Sequence, residues 1–201
     1  MSETTGTPQT WRATQKAHRR ASLMRSAAAL FAERGFAAVS TVELGEAVGM
    51  SGPALYNYFP SKEALLAEVL IDASRRLLEG CRALIAEPGT PDHVLTQLVR
   101  FHLDFATADP DTIRIQDREL AQLPAEANHT VRSLQRQYVQ EWDRVLAELR
   151  PELDAAERET RLLATFGLLN STPHSAVATG DRAAGILGAM AVRALVGTDA
   201  E

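Results

Sequence analysis

The residues best suited to recognise another molecule are concentrated in residues 40–59, which read STVELGEAVGMSGPALYNYF. Within this segment, the amide of Asn57 has the donor and acceptor groups that match the major-groove edge of adenine. The methyl group of Ala54 and the ring of Pro53 are suited to contact the methyl group of thymine. The segment contains no Arg or Lys, so bidentate pairing with guanine is not available to it. If this segment binds DNA, its residue types favour base contacts that are apolar and partly dependent on DNA shape.

Catalytic and metal-binding chemistry is not favoured by the sequence. The single cysteine, Cys81, cannot form a disulfide within the chain and has no histidine near it in sequence. His102 and Asp104 are two residues apart, which places them on opposite faces of a helix. The other histidines lack the spacing of metal ligands. We therefore expect no enzyme activity, no bound metal and no cofactor.

Local signals in residues 40–59 predict two short helices joined by a tight turn. Ser40 and Glu43 have the spacing of a capping box, which starts the first helix. Residues 49–51 (Gly-Met-Ser) supply the turn, and the arrangement fits a helix-turn-helix. Leu55 and Phe59 are four residues apart on the second helix and share its inner face, so the residues between them point outward.

The rest of the chain shows helical spacing of apolar residues and no alternating strand pattern. Pro and Gly divide it into predicted helices at residues 18–34, 62–87, 91–108, 111–123, 131–149, 155–169 and 183–195. The fold class is thus predicted to be all-α with about nine helices. No apolar run is long enough to span a membrane, and residues 1–9 lack the apolar core of a secretory signal. We expect a cytoplasmic protein with no membrane partner.

The charge is distributed unevenly along the chain. The formal net charge of −5 at first argues against a nucleic-acid partner. Residues 11–25, however, contain five basic residues and no acidic one. Because surface fields fade over a Debye length of about 10 Å, acidic residues elsewhere cannot cancel this local charge. We expect residues 1–17 to form a flexible basic arm, either in contact with DNA or simply solvated.

Three segments together resemble the TetR family of transcriptional regulators. They are FAERGF at residues 31–36, GMS at residues 49–51 and LYNYFPSKEAL at residues 55–65. The resemblance runs without a gap from about Arg20 to Leu66. It implies an N-terminal three-helix DNA-binding domain with a helix-turn-helix at residues 18–65. It also implies a C-terminal helical ligand-binding and dimerisation domain at residues 66–201.

The resemblance also implies which residues contact DNA. The helix that starts at Pro53 corresponds to the recognition helix, Tyr56 and Tyr58 to aromatic contacts, and Lys62 to a phosphate contact. Backbone N–H groups at a helix N-terminus bind phosphates well, so a phosphate contact is also predicted for Ser40 or Thr41 at the start of the preceding helix. The predicted DNA-binding residues are Arg19, Ser40, Thr41, Ser51, Pro53, Ala54, Tyr56, Asn57, Tyr58 and Lys62. The alternative for the two tyrosines is a place in the core. Affinity is expected to come mainly from Arg19, Arg20, Lys62 and the arm.

Two positions depart from the family pattern. Gly45 stands where Ala is usual and is expected to cost up to about 1 kcal/mol of helix propensity. Val42 stands where a charged residue is common, and this removes one possible phosphate contact.

A ligand pocket is expected between the middle helices. Its candidate residues are Phe101, His102, Phe105, Arg118, Tyr138, Trp142, Phe166 and Asn170. The alternative is that the aromatic residues among them are simply core. Pro173 follows the polar residues 170–172 and is expected to kink the helix there. We expect this segment to contact a ligand or the dimer partner, and the alternative is a plain helix end.

These features predict a homodimeric regulator, since the last helix places small residues beside apolar ones and one recognition helix is too small to select a site. We expect a repressor that a small lipophilic ligand, such as an acyl-CoA or a related metabolite, releases from a palindromic double-stranded DNA operator. An activator or a ligand-independent DNA-binding regulator is the alternative, and an enzyme is the least favoured class.

Overall fold

The computed structural model of the chain describes residues 8–180 and 182–197, and within these ranges it contains helices and no strand. The helices are α1 (Pro8–Arg34), α2 (Thr41–Glu46), α3 (Gly52–Leu55), α4 (Lys62–Ala86), α5 (Pro91–Ala108), α6 (Pro110–Glu119), α7 (Ala125–Leu149), α8 (Ala155–Asn170), α9 (Thr172–Thr179) and α10 (Arg182–Val196). A short 3₁₀ turn, Leu120–Gln122, precedes α7. The all-α prediction is confirmed, and α9 is the helix that the sequence pattern did not separate.

The helices begin and end at residues whose side chains explain the boundaries. Gly35 follows α1 with a φ of 84°, a conformation that glycine adopts without strain. Ser40 and Glu43 form the predicted capping box at the start of α2. Asp154 and Glu157 form a second capping box at the start of α8. Ser61 accepts a hydrogen bond from the backbone of Ala64 and so caps α4.

Residues 8–17 are the beginning of α1, so the prediction of a flexible arm is wrong for this part of the chain. The segment contains no glycine and several good helix formers, and adding a turn to an existing helix costs little. Its residues 11–19 are exposed, so the basic side chains here project from a regular helix. Residues 1–7 of the predicted arm lie outside the described residues.

Two hydrophobic cores divide the molecule into two lobes, a first lobe around the first core and a second lobe around the second core. The first joins α1, α2, α3 and the first half of α4, and it also includes Ile115 of α6 and Val131 of α7. The second joins the remainder of α4 with α5, α7, α8 and α10. The predicted domain boundary after Leu65 falls within the continuous helix α4, and Leu66 and Leu70 beyond it still belong to the first core.

Pro173 does not kink a helix as predicted but lies in the first turn of a new one, α9. The carbonyl groups left free at the end of α8 are satisfied by side chains. The hydroxyl of Thr172 donates to the carbonyl of Leu169 at 2.6 Å, and the hydroxyl of Ser171 donates to that of Leu168 at 2.6 Å. No helix within residues 8–180 and 182–197 combines the length and apolar character needed to cross a membrane.

Candidate nucleic-acid interface and ligand pocket

The turn between α2 and α3 depends on two glycines. Gly49 has a φ of 68°, which side-chain-bearing residues rarely adopt. Gly45 lies against the turn itself, where a Cβ atom would be 2.8 Å from the carbonyl oxygen of Met50. The carbonyl of Gly45 also accepts a hydrogen bond from the backbone of Met50 at 2.9 Å. Gly45 lowers the helix propensity of α2, but its lack of a side chain allows α2 and the turn to approach closely.

The recognition segment presents the predicted residues to solvent. Leu55 and Phe59 are buried in the first core. Ser51, Pro53 and Asn57 are exposed, and Tyr56 has 53% of its surface exposed. Ala54 is partly buried, and so is Tyr58, which packs against the core and keeps only one side outward. The outward surface therefore consists of apolar groups, the hydroxyl of Ser51, the amide of Asn57 and the phenol of Tyr56.

A groove separates this recognition surface from the first turns of α1. Its walls are formed by Arg12, Gln15, Lys16, Arg19, Gly49, Met50, Ala54, Asn57 and Tyr58. Three of these residues are basic, and all three lie on the exposed part of α1. Positive charge missing from the recognition segment is thus supplied from the neighbouring helix.

Ser40 and Thr41 lie at the start of α2. The Ser40 hydroxyl donates to the carboxylate of Glu43 at 2.7 Å. The same carboxylate pairs with Arg34. The backbone N–H of Ser40, its hydroxyl and then Arg34 lower the pKa of Glu43 to about 2. Ser40 therefore acts as a helix cap, and a charged carboxylate lies beside it.

Lys62, for which the family resemblance implies a phosphate contact, makes contacts within the protein. Its ammonium group donates to the carbonyl oxygens of Phe36 at 2.8 Å and Val39 at 2.9 Å. It also lies 4.2 Å from the centre of the Phe36 ring. These contacts hold the connection between α1 and α2 against α4, and the phosphate contact of Lys62 stays a prediction.

Arg20 is likewise used within the protein. Its guanidinium group pairs with Glu68 of α4 at 3.1 Å and stacks 4.6 Å from the centre of the Phe59 ring. It was expected to add affinity for DNA, but this pairing turns it toward α4. The basic residues that remain at the groove are Arg12, Lys16 and Arg19.

A cavity of about 250 Å³ lies among α4, α5, α6, α7 and α8. Four of the eight predicted ligand residues line it, namely His102, Tyr138, Phe166 and Asn170. The remaining lining residues are Ser74, Leu77, Ile113, Gln116, Gln135, Val139 and Leu163. Ser74 stands out in the sequence as a hydroxyl on the apolar face of α4, but no pattern marks the two glutamines. Their positions depend on how α6 and α7 turn toward one another.

A hydrogen-bonded chain forms the polar part of this cavity. His102 Nδ1 lies 3.1 Å from the hydroxyl of Tyr138, and Nε2 lies 2.9 Å from Oδ1 of Asn170. His102 is buried, and its ring packs 5.5 Å from that of Phe166. Burial lowers the pKa of His102 to about 4, although the bond to Asn170 opposes this shift. The imidazole is therefore neutral near neutral pH.

The other four predicted ligand residues do not line this cavity, and their contact with a ligand stays a prediction. Phe101 packs on Gly80, where an added Cβ atom would lie 2.3 Å from the ring. The Phe105 ring lies under the guanidinium of Arg76, at 5.2 Å. Trp142 is completely buried behind the lining aromatic residues, with its ring 4.9 Å from that of Phe166. Helical spacing identifies an apolar face but does not separate core residues from cavity walls.

Arg118, the fourth of these residues, connects the second lobe to the first. Its guanidinium donates to the carbonyl oxygens of Phe31 at 2.9 Å and Ala32 at 2.8 Å, which lie at the end of α1. The neighbouring Glu119 accepts a hydrogen bond from the backbone of Phe36 at 3.2 Å. The end of α6 is thus attached to the connection between α1 and α2.

Comparison with known proteins gives a consistent result for both lobes. Residues 23–69 match the family model of bacterial regulatory proteins of the tetR family, and residues 88–174 match that of the tetracyclin repressor-like C-terminal domain. The chain is 30% identical over 115 residues to the transcriptional repressor KstR2 of Rhodococcus jostii, which covers 57% of this chain and 56% of that protein. The matches to this protein and to a second curated relative span about half of each relative's length.

Solved structures extend the similarity to most of the chain. A TetR-family transcriptional regulator from Bordetella parapertussis is 26% identical, with a TM-score of 0.80, and covers 88% of this chain and 93% of that one. AibR, solved in complex with isovaleryl coenzyme A and operator DNA, has a TM-score of 0.76 at 18% identity and covers 90% of this chain and 100% of its own. The second likeness concerns the fold alone.

The fold and the exposed recognition segment define a helix-turn-helix protein with a second helical lobe built around a cavity. The chain belongs to the tetR family of bacterial regulatory proteins. Members of this family are regulators and not enzymes.

Proposed function

We propose that this protein is a homodimeric transcriptional regulator that binds a palindromic DNA operator and is controlled by a small lipophilic effector. The observation that carries the proposal is that one helix, α6, connects the cavity to the helix-turn-helix. Ile113 and Gln116 of α6 line the cavity, and Arg118 and Glu119 at the end of the same helix hold the helix-turn-helix lobe.

DNA contact is supported by the outward face of residues 51–58 and the basic groove beside it. In this proposal Tyr56 and Asn57 reach base edges in the major groove, together with the apolar groups of Pro53 and Ala54. Lys16 and Arg19 of α1 contact the phosphate backbone, and backbone N–H groups at the start of α2, near Thr41, bind a further phosphate. Acting on chromosomal DNA requires the protein to be in the cytoplasm.

Dimer formation is supported by an apolar surface on α8 and α10, two helices that pack against each other. Leu163, Ile186 and Met190 have 56%, 48% and 48% of their surfaces exposed. Gly185 and Ala189 are exposed beside them on α10, which allows a second backbone to approach closely. A two-fold dimer presents two recognition segments to half-sites about 34–36 Å apart, or a multiple of that spacing.

Effector control is supported by the cavity and its attachment to the first lobe. A ligand that favours one position of α6 changes the position of α1 and α2, and coupling of this kind is typically worth about 1–3 kcal/mol. The complex of AibR with isovaleryl coenzyme A supports an acyl-CoA or a related metabolite as effector. The name of KstR2 supports repression over activation.

The proposal is tested by an electrophoretic mobility shift on DNA that flanks the gene, with and without a metabolite extract of the cell. We expect a shifted band that the extract weakens. Replacing Asn57 with Ala should lower affinity for the specific site about ten- to hundredfold. The matched control is Gln140→Ala, an exposed residue on α7 away from both surfaces.

The alternatives have distinct outcomes. If the extract leaves the shift unchanged, the protein is a ligand-independent regulator. If the bound protein raises transcription from the flanking promoter in vitro, it is an activator. If neither the flanking DNA nor any genomic fragment is selected over random DNA, the proposal is wrong.

A further inference from the structure

The hydrogen bonds within the cavity determine which groups remain for a ligand. The amide oxygen of Asn170 can only accept, so Nε2 of His102 carries the imidazole proton. Nδ1 then accepts from the hydroxyl of Tyr138. These hydrogen bonds run from Tyr138 through His102 to Asn170. They leave the amide nitrogen of Asn170, a residue that lines the cavity, as a donor for a ligand.

The lining of the cavity contains no charged side chain among the residues that the structure describes there. Its other polar groups are the amides of Gln116 and Gln135 and the hydroxyl of Ser74. His102 is neutral, since burial lowers its pKa to about 4. A carboxylate or an ammonium group in the buried part of this cavity would lose much of its water without gaining an opposite charge, which is more costly than burial of a neutral carbonyl.

The dimensions of the cavity limit what it can enclose. Its volume of about 250 Å³ is just below the range of roughly 300–1,000 Å³ that is typical of sites for drug-sized ligands. Leu163, Phe166 and Ile113 provide apolar lining beside the polar groups. The space suits one compact apolar body with a single polar atom, and it cannot also hold a nucleotide.

We propose that this cavity binds an uncharged, largely apolar group carrying a carbonyl oxygen, which accepts a hydrogen bond from the amide nitrogen of Asn170. This inference rests on the effector site of the proposed function and specifies its chemistry. The group comes either from a small ketone or ester, or from the acyl end of a thioester whose charged part stays outside.

Two probes of nearly identical shape separate a neutral ligand from a charged one. Benzylacetone and hydrocinnamate have the same number of non-hydrogen atoms and differ in a methyl group against a carboxylate oxygen. Ligand-observed NMR titrations of the full-length protein near neutral pH give a dissociation constant for each. We expect benzylacetone to bind at least tenfold more tightly than hydrocinnamate. Hydrocinnamoyl-CoA, with free coenzyme A as its control, tests whether the carbonyl group arrives on a thioester.

Two variants test the residues that carry the inference. Asn170→Leu removes the proposed donor and should weaken benzylacetone about three- to tenfold. Gln135→Arg places a cation in the lining and should reverse the preference, so that hydrocinnamate binds more tightly. Gln140→Arg adds the same charge on the exposed side of α7 and should leave the preference unchanged. Asn170→Leu also removes the hydrogen-bond partner of His102 and could therefore unfold the protein. In that case the comparison of Gln135→Arg with Gln140→Arg still tests the inference.

The outcomes are distinguishable from those of the proposed function. Equal or tighter binding of hydrocinnamate by the unmodified protein overturns the inference, and so does a failure of both benzylacetone and hydrocinnamoyl-CoA to bind. An unchanged affinity in folded Asn170→Leu overturns the assignment of the donor. If benzylacetone binds as expected but does not alter the mobility shift, the ligand chemistry stands and effector control of DNA binding fails.

Discussion

At the scale of single residues, Gly45 shows how a tertiary contact reverses an expectation based on helix propensity. Alanine at this position should stabilise an isolated helix by up to about 1 kcal/mol. In the structure, its Cβ atom would lie 2.8 Å from the carbonyl oxygen of Met50 and 3.0 Å from backbone atoms of Ser51. Backbone cannot move aside as a flexible side chain can. We therefore expect Gly45→Ala to destabilise the protein by about 1–3 kcal/mol.

Urea denaturation followed by circular dichroism measures this change. Glu46→Ala is the matched control, because Glu46 is exposed on the same helix, and it should stay within about 0.5 kcal/mol of the unmodified protein. A more stable Gly45→Ala protein would show that the turn relaxes freely around the added methyl group.

His102 makes stability depend on pH in a defined range. Burial lowers its pKa in the folded state from 6.5 to about 4, so the unfolded chain binds the proton more readily. The stabilisation is fully present above pH 6.5 and is lost as the pH falls from about 6.5 to about 4. The loss from this residue is at most about 1.4 kcal/mol per pH unit, or about 3 kcal/mol in all.

The measurement is the free energy of unfolding at several pH values for the unmodified protein and His102→Gln. Other groups titrate in the same range, so the difference between the two proteins isolates His102. We expect this difference to shrink as the pH falls. If it is constant from pH 7 to pH 4, the neutral imidazole is not what the folded state requires.

At the scale of elements, the sequence predicts best where the signal is local. The capping box at Ser40, the turn at Gly49 and the inward face of Leu55 are all confirmed, because each depends on residues within one or two turns. The extent of α1 was misjudged, because basic charge was interpreted as an arm although the same residues are good helix formers.

Roles that depend on distant partners could not be predicted in this way. Lys62 carries a family motif, but its contacts with the carbonyls of Phe36 and Val39 become visible only when α4 packs beside the end of α1. Arg118 likewise reaches across 86 and 87 positions in sequence to Ala32 and Phe31. Which backbone carbonyl groups these long side chains reach depends on how the helices pack, and a local sequence pattern does not predict that packing.

The basic face of α1 should determine how DNA affinity depends on salt. A phosphate contact adds about one to the slope of log affinity against log salt concentration. Lys16→Ala should therefore lower the slope by about one and weaken all DNA sequences alike. Lys62→Met should leave the slope unchanged, because its ammonium group is held by backbone carbonyls, while it lowers the free energy of unfolding by about 1.5–3 kcal/mol.

Fluorescence anisotropy with labelled operator at several salt concentrations gives these slopes. Arg136→Ala is the control, since Arg136 is an exposed cation on α7 in the second lobe and its removal should change neither quantity. A drop of about one in the slope for Lys62→Met, with unchanged stability, would restore the phosphate contact that the sequence predicted for it.

At the scale of the whole molecule, α4 and α7 contribute to both hydrophobic cores, and α6 joins the first core to the cavity. α4 contributes to the first core through Leu66 and to the second through Leu78. α6 contributes Ile115 to the first core, lines the cavity with Gln116 and is attached to α1 through Arg118. In the proposed function, a shift of α4 or α6 moves the recognition segment, and the spacing of two such segments in the proposed dimer decides whether DNA fits.

The apolar surface of α8 and α10 gives the last prediction, Met190→Glu. Met190 is half exposed on the proposed interface, so the substitution places a charge from each protomer in an apolar contact without an opposite charge. We expect light scattering after size-exclusion chromatography to show a monomer at micromolar concentration, and operator affinity to fall at least tenfold because each half-site alone binds weakly. Gln140→Glu, which adds the same charge on exposed α7, should remain dimeric and bind the operator normally. A dimeric Met190→Glu protein with full affinity would place the dimer interface elsewhere on the molecule, whereas a monomeric variant with full affinity would mean that one recognition segment is sufficient.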